Sequence, residues 1–311
     1  MASAGALTDP LTVTEHAFKV MGGPARLVIE HAAAHTVSAR AACQTIERLL
    51  RDLEARYSRY RENSLISQIN RLAGTGKLTP VDEETLALLT FCERLWEQSH
   101  GLFDPTAGVL RQVWDFSRGQ QGDVSELPNL LAKVGWSKVK QSVKGVGLSD
   151  AGMELDFGGV VKEYGADKAA QSLRDHGFNH ALVELAGDVV AVGSKASGAP
   201  WHIGISDPEA PSKTLVTVEL SNCALATSGS YQRFIEINSR RYSHFLNPQS
   251  GWPVEGAASV SVISDSCLTA GAVATVACLN IANNATAWLN EAGLPWLSID
   301  PLGKCLGPLA P

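Results

Sequence analysis

A chain of 311 residues, 45% apolar and 19% charged, is long enough to bury a large core in one unit or two packed ones, and its composition excludes a disordered chain. The formal net charge of -6, with no concentrated run of Lys or Arg, argues against a nucleic-acid surface. No stretch approaches about 18 uninterrupted apolar residues, so no membrane span is expected.

The chain opens MASAGALTDPLTVTEHAF, with no basic start, no apolar segment and no lipobox cysteine, and a cytoplasmic location is expected. The first predicted helix covers 38–56, where Ile46, Leu49, Leu50 and Leu53 follow helical spacing and Ser38 is placed as the cap. A second covers 82–98, with acidic residues in its first turn and Leu88, Cys92 and Leu95 on its apolar side. Residues 115–130 are polar and glycine-bearing and read as a surface loop or the start of a helix. Leu148 and residues 153–155 flank the turn Ser149-Asp150-Ala151-Gly152, which predicts a hairpin. A third helix fits 164–176, closed by Gly177.

Strand-like runs follow at 181–184, 189–192, 202–205, 215–220, 234–237 and 258–263. Helices are then expected at 266–279 and 285–292, the latter ended by Gly293, before an irregular tail. Strands cluster in the second half with helices between them, which is α+β organisation rather than strict βαβ alternation. The six cysteines (Cys43, Cys92, Cys223, Cys267, Cys278 and Cys305) form no CxxC pair and no zinc spacing, and read as small buried hydrophobes.

Five clusters can carry chemistry, and each has a plain structural alternative. In Gly101-Leu102-Phe103-Asp104-Pro105-Thr106, the proline pushes Asp104 towards an extended conformation; the loop can present backbone groups to a flat ligand, or it is a rigid turn. In the stretch from Leu155 to Asp167, a Gly158-Gly159 turn leads into a helix start beside Lys162. This suits a phosphate, but equally a simple strand-to-helix turn, and it is neither a GxGxxG nor a Walker loop. Ala226-Thr227-Ser228-Gly229 reads more readily as a turn than as a phosphate site. His244, just before Asn247-Pro248, is placed to exchange protons in a cleft, or to make a structural hydrogen bond. Thr269 and Thr275 flank Ala270-Gly271 at a helix start, where small side chains permit close packing and the hydroxyls can reach a hard cation.

In this order the clusters resemble the ApbE-type flavin transferases, over about 18–292. The resemblance starts at Met21-Gly22-Gly23 and runs through Tyr57-Ser58-Arg59-Tyr60 with Ser64 and Asn70. Phe103-Asp104-Pro105-Thr106 with Trp114 follows, then the stretch from Asp156 to Asp167 and Leu185-Ala186-Gly187-Asp188. Trp201 to Ile205 with Asp207-Pro208, Thr227-Ser228-Gly229, and His244 with Pro248, Gly251 and Pro253 complete it.

The family implies an α+β fold of T-fold-like mixed sheets with packed helices in a single compact unit, here an extension at 1–17, the domain at 18–295 and a C-terminal strand and tail at 296–311. It implies transfer of FMN from FAD, with Mg2+, to a Ser or Thr hydroxyl of an acceptor flavoprotein or electron-transfer subunit, with release of AMP. By the same resemblance Met21, Tyr60, Leu102, Phe103 and Asp104 contact the flavin or adenine end, Lys162 and Thr227 lie near the phosphates with Glu163 beside them, and His244 is the base. The metal position is formed by Val161 through its carbonyl, position 271 and Thr275.

Three residues depart from the pattern. Gly271 stands where the family carries the aspartate that is its main charged metal ligand, Glu163 stands where it has glycine, and Asn247 stands where it has aspartate. Glu163 and Asp265 are the carboxylates that could substitute, although helix geometry puts Asp265 more than a turn from position 271. The alternative to transfer is an FAD-binding regulatory protein or a slow FAD pyrophosphatase, and Gly271→Asp is then expected to create Mg2+-dependent turnover.

Overall fold

The computed structural model describes residues 10–311 apart from 232, 239 and 281. Strand β1 (Leu11–Val20) turns through Met21-Gly22 into β2 (Gly23–Ala32). Both turn residues have positive φ, at 52° and 77°, the two-residue turn whose twist matches the flanking strands. The same device, Ala186-Gly187 at 50° and 99°, joins β3 (Ala181–Leu185) to β4 (Asp188–Val192). Strands β5 (Ala224–Gly229), β6 (Ser259–Ser264), β7 (Trp296–Ile299) and β8 (Cys305–Leu306) follow. The eight lie side by side in chain order, and every pairing is antiparallel.

Helices cover one face of this sheet. Helix α1 (Thr36–Tyr57) buries Ala42, Cys43, Ile46, Leu50 and Leu53, and α2 (Glu83–Gln98) buries Leu88, Leu89, Cys92 and Leu95. Helix α3 (Val161–Asp175) buries Ala166, Ala169, Ala170 and Leu173. Helix α4 (Cys267–Leu279) is apolar nearly all round and sits centrally, with α5 (Ala282–Ala292) outside it. On the other face the hairpin Trp201–Ser206 and Thr214–Leu220 packs Trp201, Ile205, Val218 and Leu220 against Val189, Ala191, Leu225 and Leu297. With both faces covered, β4 is buried at every position. The α+β architecture is therefore helices, sheet and hairpin in three layers. Among the described residues no helix is long and apolar enough to cross a membrane.

Several expectations need correction. Helix α1 begins at Thr36 behind His35, which makes no side-chain cap, and the Ser38 hydroxyl donates to the His35 carbonyl. Helix α3 begins at Val161, not 164, so Lys162 and Glu163 belong to its first turn. The turn at Ser149–Gly152 closes no hairpin: Val139–Ser142 pairs with Gly145–Leu148, while Leu155 is held by both amide atoms of Asn70. The stretch at 226–229 is strand, not turn, and the tail supplies β8. Residues 115–130 end in a short helix, Leu127–Leu131. The boundary expected after 17 falls inside β1, and 296–299 belongs to the same sheet; residues 1–9 of the expected extension lie outside the described residues.

Asp167 of α3 caps α4. Its carboxylate accepts from the Cys267 and Leu268 amides at 2.8 and 2.9 Å and from the Ser266 hydroxyl at 2.8 Å. Hydrogen bonds to a charged group and a helix N-terminus both favour this arrangement. Asp167→Ala is expected to lower the unfolding free energy by about 2 kcal/mol, read from urea unfolding.

Candidate functional site

A cavity of about 660 Å³ opens beside the two positive-φ turns, bounded by the starts of α3 and the Phe103–Pro105 loop. The fold brings Met21, Tyr60, Leu102, Phe103, Asp104, Val161, Lys162, Glu163, Thr227, His244 and Thr275 to its wall. Gly271 does not line it.

The positive φ of Met21 and Ala186 is uncommon for residues with a Cβ. The Met21 amide donates to Glu54 Oε1 at 2.7 Å, which anchors the first turn, and the Ala186 amide donates to the Pro24 carbonyl at 2.8 Å, which ties the second to it. The extended Asp104 (φ -134°, ψ 108°) stands before Pro105 as that proline dictates. Its Oδ1 accepts from the Thr106 amide and hydroxyl at 2.8 and 2.6 Å, and its Oδ2 from the Trp136 amide at 3.0 Å. Burial pushes the Asp104 carboxyl up. That carboxylate is therefore committed to holding its loop, and what the loop offers a ligand is Leu102, Phe103 and backbone. Tyr60 is 78% exposed, with the Arg59 guanidinium 5.7 Å from its ring, which marks it as part of the cavity mouth.

A polar network forms the floor. Lys162 Nζ bonds to Asp188 and lies 3.3 Å from Glu163 Oε1. Asp188 is 1% exposed, and its other oxygen accepts from the Thr227 amide at 3.0 Å. Burial pulls Lys162 towards the neutral form, but Glu163 and Asp188 outweigh it and hold the ammonium charged. Burial likewise pushes Asp188 up to about 6, against the pull of Lys162. Thr227 and Ser261 share a hydroxyl contact at 2.8 Å, and Ser228 and Thr275 share one at 3.0 Å.

His244 faces these groups across the same cavity. Its Nδ1 lies 3.2 Å from the Arg233 carbonyl, which can only accept, so Nδ1 carries the proton and Nε2 keeps a lone pair. Burial, then the charges of Arg111 and Arg233, lower its pKa to about 4. The ring is a neutral acceptor at pH 7. An NMR titration of the free protein should find the His244 ring still neutral at pH 5; titration near the ordinary imidazole value would contradict this placement.

Sequence reading gave no role to six charged residues here: Glu54, Arg59, Arg61, Arg111, Asp156 and Arg233. Arg59 donates to the Gly108 carbonyl at 2.8 Å and to Glu154 and Asp156 at 2.5 and 3.2 Å. Asp156 also lies 3.5 Å from Arg111 Nε and accepts from the Gly158 amide at 2.8 Å. Arg111 and Arg233 add positive charge beside His244. Arg59 and Asp156 sit inside segments that carried the resemblance, but Arg111 and Arg233 had no local signal, because segments remote in sequence, a 3-10 helix at Pro105–Gln112 and the stretch before Phe234, deliver them.

Gly271 lies one turn before Thr275 on α4. A Cβ built there would stand 2.4 Å from Glu163 Cγ, a distance no real contact shows, so Glu163 covers the glycine. Gly271 offers no ligand side chain, and Gly271→Asp, expected to supply one, would collide with Glu163. Asp265 is exposed, precedes α4 and does not line the cavity, which removes it as a substitute.

The whole arrangement has known counterparts. A family model described as the ApbE family matches residues 21–297. The FAD:protein FMN transferase of Treponema pallidum (strain Nichols) is 33% identical over 254 residues, covering 76% of this chain and 70% of its own length. That of Vibrio cholerae is 31% identical, covering 74% and 70%. Among solved structures, the ApbE protein of Thermotoga maritima superposes with a TM-score of 0.86 at 26% identity over 95% of this chain and 97% of its own. The apo flavinyl transferase ApbE of Pseudomonas stutzeri does so with 0.85 at 26%, covering 96% and 95%.

Proposed function

This chain belongs to the ApbE family, and from that premise we propose that it is an FAD:protein FMN transferase whose cavity holds FAD with the diphosphate among Lys162, Arg111, Arg233 and His244. The observation that carries the reading is a neutral imidazole with a free Nε2 sharing one cavity with the cationic side chains of Lys162, Arg111 and Arg233. The acceptor is a protein carrying a Ser or Thr hydroxyl. That oxygen attacks the phosphorus on the FMN side, its proton passes to His244 Nε2, and the bridging P–O bond breaks. The acceptor keeps FMN as a phosphoester, and AMP leaves.

Little covalent chemistry is asked of the protein, so positioning and charge neutralisation dominate. Met21, Tyr60, Leu102 and Phe103 supply the apolar wall against which a flat ring can lie. Lys162 is charged and anchored by Asp188, at the start of α3, where helix polarity also favours phosphate. Thr227 is fixed through its own amide by the same Asp188.

A magnesium ion fits this floor, because a buried carboxylate oxygen of Glu163 has no hydrogen-bond partner and hydroxyls stand close by. Val161 and Thr275 would help to hold it, and its contribution would be to neutralise diphosphate charge.

Incubation with FAD, Mg2+ and an acceptor domain should give a flavin-fluorescent acceptor band that survives denaturation, with one AMP per band. AMP without labelled acceptor would show hydrolysis instead, and FAD binding with neither product would reject transfer.

A further inference from the structure

We infer that Glu163 is the carboxylate that holds the divalent cation in this chain, and that Gly271 exists to make room for it. The inference rests on reading the cavity as a diphosphate transfer site.

Glu163 is 5% exposed and lines the cavity. Its Oε1 lies 3.3 Å from Lys162 Nζ, while its Oε2 is buried with no donor. A buried carboxylate oxygen normally finds a hydrogen bond, and an orphan on a residue that lines a cavity points to a ligand. The local charge agrees: Glu163 and Asp188 are two carboxylates facing one ammonium, Lys162. A divalent cation would balance the excess. Among the described residues no three His, Cys, Asp or Glu side chains converge on a metal position, so an ion here draws its other ligands from hydroxyl, carbonyl and phosphate oxygens. That mix, with one or two carboxylates, is what magnesium accepts.

Gly271 is the second, independent half. The position its Cβ would take is 2.4 Å from Glu163 Cγ, 3.2 Å from Cδ and 3.3 Å from Oε1. The Glu163 side chain therefore fills the space that any side chain at 271 would need. A carboxylate can reach this floor from α3 or from α4, but not from both. Glu163, one of the two substitutes the sequence offers for the carboxylate missing at 271, is in contact with Gly271, and the two form one exchange: the carboxylate has moved from one helix to the other.

The test measures Mn2+ binding, by electron paramagnetic resonance, to the full-length protein with FAD bound, FAD occupancy being read separately from flavin fluorescence quenching. Glu163→Gln keeps the shape of the side chain and should weaken Mn2+ by about 100-fold, the upper end of what losing even an outer-shell partner costs. The exchange variant Glu163→Gly with Gly271→Asp should recover most of that loss, and Gly271→Asp alone should bind Mn2+ more weakly than the natural protein. Unchanged Mn2+ affinity in Glu163→Gln with FAD bound overturns the inference, as does tighter binding in Gly271→Asp alone. No Mn2+ binding by the natural protein with FAD bound overturns it as well. Failure of the natural protein to bind FAD at all is a separate outcome and rejects the transferase reading beneath it.

Discussion

Lys162→Met should lower the unfolding free energy at pH 7 by about 3–5 kcal/mol, the range found when one partner of a buried ion pair is removed. Lys162 is the cation that faces Asp188 and Glu163, whose side chains are 1% and 7% exposed. Methionine preserves the aliphatic stem and deletes the charge, leaving two carboxylates close together in a poorly solvated pocket. Asp188 would respond by holding its proton to higher pH than in the natural protein, where burial already places it near 6.

The sign of the pH dependence follows. An acid whose folded pKa lies above its unfolded value binds more protons when folded, so its contribution improves as pH falls. The deficit of Lys162→Met should therefore shrink between pH 7 and pH 5 in urea titrations. A deficit below about 1 kcal/mol, or one that grows on acidification, would mean that the pair is screened by water and contributes little, as exposed pairs do.

Removing the base should have the largest effect on rate. His244→Asn should lower the single-turnover rate of flavin transfer by about 10²- to 10⁴-fold, the usual contribution of a general base. FAD affinity should change far less than the rate, because the cationic groups proposed to hold the diphosphate, Lys162, Arg111 and Arg233, all remain. Rates at saturating FAD and affinities from fluorescence quenching separate the two quantities. A variant that transfers normally once saturated would assign His244 to binding and not to proton transfer.

Elements with strong local signals were legible in the sequence. Helix α2 announces itself through Asp82, whose carboxylate accepts from the Thr85 amide, and through its apolar spacing. Helix α4 does so through Ser266, which accepts from the Thr269 amide. Strand β5 was hidden because Ala224–Gly229 is made of small and hydroxyl residues, whose strand conformation is imposed by β4 and β6 on either side. Strand β1 was hidden for another reason. As the outermost strand of the sheet it is mostly exposed, and its residues lack the apolar run that marks a buried strand.

The candidate site divides in the same way. Phe103, Lys162 and His244 stood out because each lies in a short segment whose local chemistry is self-contained, whereas Met21 and Thr227 were given their roles by the family resemblance. Contact between Glu163 and Gly271 had no such signal. The sequence offers Glu163 as one of two carboxylates that could stand in for the ligand missing at 271, but that its side chain lies directly over the glycine is visible only once packing brings the two helices together. Arg111 and Arg233 were invisible for the same reason, since their relevance depends on converging beside His244.

A crystal structure of the protein with FAD and Mg2+ tests the central claim most directly. The diphosphate should lie in the 660 Å³ cavity between Lys162 and the Arg111–Arg233 side, with His244 Nε2 towards the FMN-side phosphorus and the isoalloxazine against Met21, Tyr60 and Phe103. Flavin found instead in the 480 Å³ groove between the sheet and the hairpin, lined by Arg26, Glu184 and His202, with the main cavity holding none, would contradict it.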